Sequence, residues 1–129
     1  MIALDTNILV RLLAEPDSHQ GRIAHQLVSE SLSAEKPGFV SALVIAETIW
    51  VLEDIYQVPV DMIRAHMRLL LGAAELVIEQ ADAIERALNL PHKDLADCIL
   101  HELGQANGCS HTVTFDKRFA KLDKVELAA

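Results

Sequence analysis

Four acidic residues stand where carboxylates could act together: Asp5, Glu47, Asp97 and Asp116. Asp5 follows the short apolar run Ile2–Leu4, and Asp116 follows the run from His111 to Phe115, so each closes a stretch that reads as a strand. In open α/β sheets ligands bind beyond the carboxyl ends of the strands, so both aspartates are expected at one rim. Glu47 has Leu43, Val44, Trp50 and Val51 as its helical neighbours, all apolar. A carboxylate buried in such a stripe without a partner is costly, so Glu47 is expected to be paired, protonated or bound to a metal. Asp97 follows Asp94 by three residues, which puts both on one side of the first turn of a helix beginning near Leu95. Leu95, Ile99, Leu103 and Ala106 form the opposite, core-facing side of that helix.

Carboxylates gathered in one place are hard oxygen ligands that select Mg²⁺ or Mn²⁺ over Zn²⁺, which favours His and Cys. The six histidines are scattered and form no zinc spacing. Taken singly, each acid has a plainer reading. Asp5 and Asp116 suit N-caps or turns, Asp94 suits an N-cap with Asp97 on a solvated face, and Glu47 suits a salt bridge or an unburied surface stripe. Only the combination points to a site.

The elements that must position these acids alternate. After Ile2–Leu4 comes the helical pattern Ile8, Leu9, Leu12, Leu13, then a break at Pro16-Asp17-Ser18 and a second helical pattern through Ile23, Leu27, Val28 and Leu32. Phe39-Val40 reads as a second strand, followed by helices from about Ala42 to Tyr56 and from about Asp61 to Leu71. Leu76-Val77-Ile78 reads as a third strand. Helices from about Asp82 to Leu90 and Leu95 to Asn107 precede the strand His111–Phe115 and a short tail with Val125 and Leu127. Strands alternating with helices require crossover connections and parallel pairing, hence an α/β fold of three layers, α/β/α, around a central parallel sheet. The 129 residues fit one domain, 1–129.

Together these residues resemble the PIN-domain nucleases, most closely the VapC-type toxins of prokaryotic toxin–antitoxin pairs. Four segments carry the resemblance: Ile2 to Leu9, Ser41 to Glu47, Asp94 to Leu100, and Val113 to Phe119. Cys98 stands where alanine is usual after the third acid. The resemblance implies that Asp5, Glu47, Asp97 and Asp116 bind Mg²⁺ or Mn²⁺, with Thr6, Asn7 and Thr114 supporting them by hydrogen bonds. Asp94 joins them as an outer contact, one turn from Asp97. It further implies a metal-dependent endoribonuclease that hydrolyses RNA phosphodiester bonds with activated water. A cognate antitoxin would place an arginine among the carboxylates. The alternative is a PIN-like RNA-binding or housekeeping RNA-processing domain with no toxin role. Arg11, Lys117 and Arg118 lie near the motifs and are candidates for RNA phosphate contacts. A haloacid-dehalogenase-like phosphatase would need a second Asp where Asn7 stands. A response-regulator receiver would need an acidic pair after the first strand and an Asp after the third, where Glu79 follows Ile78.

The net charge of −8 argues against a broad basic face for nucleic acid. Cations cancelling four carboxylates would leave −4, which weakens that objection. No stretch approaches the ~18 to 20 apolar residues of a membrane span, and the opening Met1–Asp5 lacks the marks of a signal peptide, so a cytoplasmic protein is expected. Cys98 and Cys109 are expected to be reduced, buried thiols without a chemical role. The helix around Glu47 carries Ile45, Ile49, Leu52 and Tyr56 on its far side, and the next carries Met62, Ile63, Met67, Leu70 and Leu71. Apolar on both faces, these two helices are expected to form a homodimer interface.

Overall fold

The apolar runs at Ile2, Phe39 and Leu76 pair as parallel strands in a computed structural model that describes residues 1–129. In the unit Met1–Glu79, β1 (Ile2–Ala3), β2 (Gly38–Val40) and β3 (Leu76–Ile78) form a sheet in the order β1-β2-β3. The register sets Ala3 beside Phe39, and Val40 beside Ile78. Four helices make the crossovers: α1 (Thr6–Ala14), α2 (His19–Gln26), α3 (Ala42–Asp54) and α4 (Val60–Leu71). One step past the register, Asp5, Ser41 and Glu79 all stand at the carboxyl ends of their strands. Leu4 extends the pairing through its N–H, which donates to the Phe39 carbonyl at 2.9 Å.

Helix starts follow the expected chemistry. Ser18 accepts from the Gly21 N–H, and Ser41 accepts from the Val44 N–H at 3.1 Å, each satisfying a donor that the first turn leaves free. Glu79 adds a cap from outside the helix, its Oε1 accepting from the Ala42 N–H at 2.9 Å. Gly21 is required by a close approach, because a Cβ there would lie 1.8 Å from the Glu15 carbonyl oxygen. The second helical pattern ends early. α2 passes at Leu27 into a π-helical turn, Leu27–Ser31, after which Leu32 turns into the interior in extended conformation.

The unit Gln80–Ala129 contains α5 (Ala81–Leu88), α6 (Leu95–Ala106), β4 (Thr112–Thr114) and β5 (Val125–Leu127). The tail that carries Val125 and Leu127 is therefore a strand. It pairs with β4 in parallel, Thr112 beside Val125 and Thr114 beside Leu127. A 3-10 turn, Phe119–Lys121, lies between them and buries Phe119. α6 opens on Asp94, whose carboxylate accepts from the Asp97 N–H at 3.1 Å. Its inner face carries Leu95 and Ile99, as the periodicity predicts, together with Cys98 and His101, whose Nδ1 lies 2.7 Å from Thr112 Oγ1, whereas Leu103 is half-buried and Ala106, also expected inward, is exposed.

Six α-helices and parallel strands make this an α/β protein. The core of the first unit is built from Leu9, Ile45, Ile49, Leu52, Ile63 and Met67, all essentially inaccessible. No helix is long and apolar enough to cross a membrane.

Candidate active site

In the first unit the strand-to-helix junction presents Asp5 to solvent. Asp5 occupies the N-cap position of α1 in extended conformation, yet its side chain makes no capping bond, so the simple cap reading does not describe it. Beside it, Thr6 Oγ1 is buried without a hydrogen-bond partner. Asn7 is exposed and shares a groove of about 320 Å³ with Ile8, Arg11, Gln20 and Ile23. The Arg11 guanidinium is ion-paired with Glu15, and the Tyr56 hydroxyl donates to the other Glu15 oxygen at 2.6 Å.

Glu47 departs from its sequence expectation. It lies on the open face of α3 between Leu43 and Trp50, which are 68% and 54% exposed, while Ile45, Thr48, Ile49 and Leu52 form the buried side. Its carboxylate is therefore exposed, as in the surface-stripe reading, and not buried among its apolar neighbours. The side assigned to a subunit interface, Ile45, Ile49 and Leu52, is monomer core, and so are Ile63, Met67 and Leu70 on α4. Helical periodicity identifies two apolar faces without saying which one packs inward.

In the second unit Asp94, Asp97 and Asp116 are organised by two loops. Asp116 follows β4, and its Oδ1 accepts from the backbone N–H groups of Arg118 at 2.8 Å and Phe119 at 3.1 Å. Thr114 Oγ1 accepts in turn from the Asp116 N–H at 3.0 Å. The hydrogen bonds from Phe119 and Arg118 hold the Asp116 carboxyl below its ordinary value, keeping it ionised. Asp97 is shifted the other way. Burial raises its carboxyl, the neighbouring Asp94 charge adds to the rise, and His92 opposes it. Asp116 and Asp94 thus do serve as turn and cap residues, but neither role uses up a carboxylate's capacity to accept.

His92 was not singled out by the sequence. Its Nε2 lies 3.5 Å from Asp97 Oδ2, and its ring stacks on Phe119 with centroids 5.5 Å apart. Five residues before Asp97 and in a loop, it follows no helical or metal-binding spacing that would flag it. His92, Lys93, Asp94, Asp116, Arg118 and Lys121 line a cleft of about 740 Å³. Lys117 is exposed but does not line it. Cys98 is buried as expected, whereas Cys109, directly after the positive-φ Gly108, is exposed.

Residues 2–125, nearly the whole chain, match the PIN domain family. The chain belongs to that family. PIN domains are generally nucleases, hydrolases of nucleic acid, so the membership implies nuclease activity in general. No curated protein matches the chain. The donor chemistry of this PIN domain suits a hard divalent cation: exposed carboxylates, and an orphaned hydroxyl at Thr6 next to Asp5. No group of three or more His, Cys, Asp or Glu side chains is close enough to hold a metal ion.

Proposed function

We propose that this PIN domain is a metal-dependent endoribonuclease that acts in the cytoplasm as the toxin component of a type II toxin–antitoxin pair. The observation that carries the reading is the cleft of the second unit, where an aspartate kept ionised by two backbone N–H groups shares a wall with three cationic side chains. An anionic substrate needs both features: cations to receive its phosphates, and ionised oxygens to take part in hydrolysis.

Asp5, Glu47, Asp97 and Asp116 are the proposed metal-binding acids, and Thr6, Asn7, Asp94 and Thr114 their supporting residues. Bound Mg²⁺ or Mn²⁺ would supply an activated water and stabilise the leaving 3′ oxygen. The chain's own contribution is orientation. The Arg118 and Phe119 amides fix the Asp116 carboxylate, Thr114 fixes the Asp116 backbone, and Asp94 fixes the first turn that presents Asp97. The proposed partners are RNA, a protein inhibitor that sets an arginine against these carboxylates, and a second copy of the chain.

Purified protein incubated with Mn²⁺ and single-stranded or looped RNA tests this reading. Asp5→Asn and Asp116→Asn are each expected to slow cleavage at least about a hundredfold, because a charged ligand oxygen is lost. EDTA is expected to stop the reaction and Zn²⁺ to restore it poorly. Full activity in either variant overturns the assignment.

A further inference from the structure

The net charge of −8 is unevenly distributed. Residues 80–129 hold six of the eleven Lys and Arg residues but only eight of the nineteen Asp and Glu, which leaves the first unit much the more acidic. Within the second unit the cations are also sorted. Arg86 is paired with Glu102, and of the five cations that make no ion pair, Lys93, Arg118 and Lys121 line the cleft that holds Asp116 while Lys117 and Lys124 lie outside it. Along this wall the three cations face two carboxylates, Asp94 and Asp116, and make no ion pair with either.

Two loops supply these side chains. Lys93 belongs to the segment that leads into α6 at Asp94. Arg118 and Lys121 bracket the 3-10 turn after β4, and three residues per turn places them on the same side of it. The Asp116 carboxylate binds the first amides of that turn, so the turn that fixes the acid also fixes two of the cations.

We propose that Lys93, Arg118 and Lys121 form a phosphate track that seats the backbone of single-stranded RNA beside Asp116, with Lys93 and Lys121 as substrate-positioning residues. The track answers the charge objection: an acidic protein can hold RNA if its free cations are concentrated along one short path. Such contacts go to phosphates and carry no base information, so the track sets register and affinity and leaves sequence choice to other surfaces.

This inference rests on the ribonuclease reading, and the experiment separates the two. Binding of a fluorescein-labelled single-stranded RNA oligonucleotide is followed by anisotropy in EDTA across a series of NaCl concentrations. Wild type is compared with Lys93→Gln/Lys121→Gln, and with Lys36→Gln, an exposed lysine of the first unit, as control. Cleavage kinetics in Mn²⁺ are measured in parallel. Each phosphate contact contributes about 0.7 to the slope of log K against log salt for a single strand, so the double variant is expected to lose about 1 to 1.5 from that slope. Its KM should rise roughly tenfold with kcat little changed, and its affinity should fall alike for oligonucleotides of different sequence. The Lys36→Gln variant should match wild type. If wild type binds and cleaves RNA and the double variant keeps its salt slope and KM, the track is wrong and the ribonuclease reading stands. If wild type neither binds nor cleaves any RNA, the ribonuclease reading falls and the track falls with it.

Discussion

Tyr56 is the chain's single tyrosine, and its hydroxyl donates to Glu15 while Arg11 pairs with the other carboxylate oxygen. The hydrogen bond to Glu15 raises the phenol above its ordinary value of 10.0, and the same bond, helped by Arg11, lowers Glu15 below 4.5. The signs follow from which form the fold prefers. The neutral phenol contributes stability that is complete below its ordinary value and lost as pH rises through the folded value. The ionised Glu15 contributes stability present above its ordinary value and lost as pH falls through the folded one. Because no other tyrosine absorbs, a phenolate titration reads Tyr56 alone. Glu15→Gln should move its midpoint down toward the ordinary value, and Tyr56→Phe should flatten the fall of Tm on the acid side of pH 4.5. Coincident titrations in wild type and Glu15→Gln would show that the bond is not made in solution. At this scale the sequence was only partly legible. The Asp94 cap follows from residue type and position, but the Glu15–Tyr56 pair spans 41 residues and His92 sits in a loop, and neither arrangement has a periodic signature.

At the scale of elements, nearly every strand and helix could be read from hydrophobic period and from Ser, Asp, Pro and Gly punctuation. β5 reads from the sequence only as a tail, because a three-residue strand with Glu126 at its centre lacks a run long enough to reveal a period. The π-helical turn after α2 leaves no trace in apolar spacing. The harder failure was the facing of α3. Its buried side includes Thr48, whose Oγ1 has no hydrogen-bond partner, whereas its open side includes Leu43 and Trp50. The open side also carries Glu47 and the buried side Ile45, Ile49 and Leu52, so the charged residue marks the outward face and its apolar neighbours do not mark burial. The same inversion revises the proposed homodimer. With Ile63, Met67 and Leu70 in the core, α4 exposes Met62 and Leu69, seven residues and two turns apart on one side, and Leu69 is 70% exposed. Leu69→Glu should keep its melting temperature within about a degree or two, since an exposed position tolerates charge, while converting the dimer to monomer by light scattering at micromolar concentration. Wild type running as a monomer under those conditions removes the dimer from the proposal.

Across the whole molecule, the proposed metal-dependent reading asks an acidic chain to gather negative charge for a cation and also to fold without it. Asp97 records that conflict. Burial and the Asp94 charge raise its carboxyl, so the folded chain holds this proton more tightly than the unfolded one. An ionised Asp97 therefore costs stability above the folded value, and the cost is relieved as pH falls through it. Asp97→Asn removes the charge at nearly constant shape. At neutral pH in EDTA the variant should melt higher than wild type, by roughly one to three degrees, because a side chain 28% exposed is partly screened by water. Mn²⁺ should reverse the order. A ligand that binds only the folded state stabilises it by RT ln(1 + [L]/Kd), about 2.7 kcal/mol at a hundredfold excess over Kd, and wild type should gain more of this than a variant lacking one ligand oxygen. Four melting temperatures, two proteins in EDTA and in Mn²⁺, then cross between conditions. Should the variant melt lower in EDTA and Mn²⁺ move neither protein, Asp97 is an ordinary residue of a capped first turn, and the metal-binding role proposed for it fails.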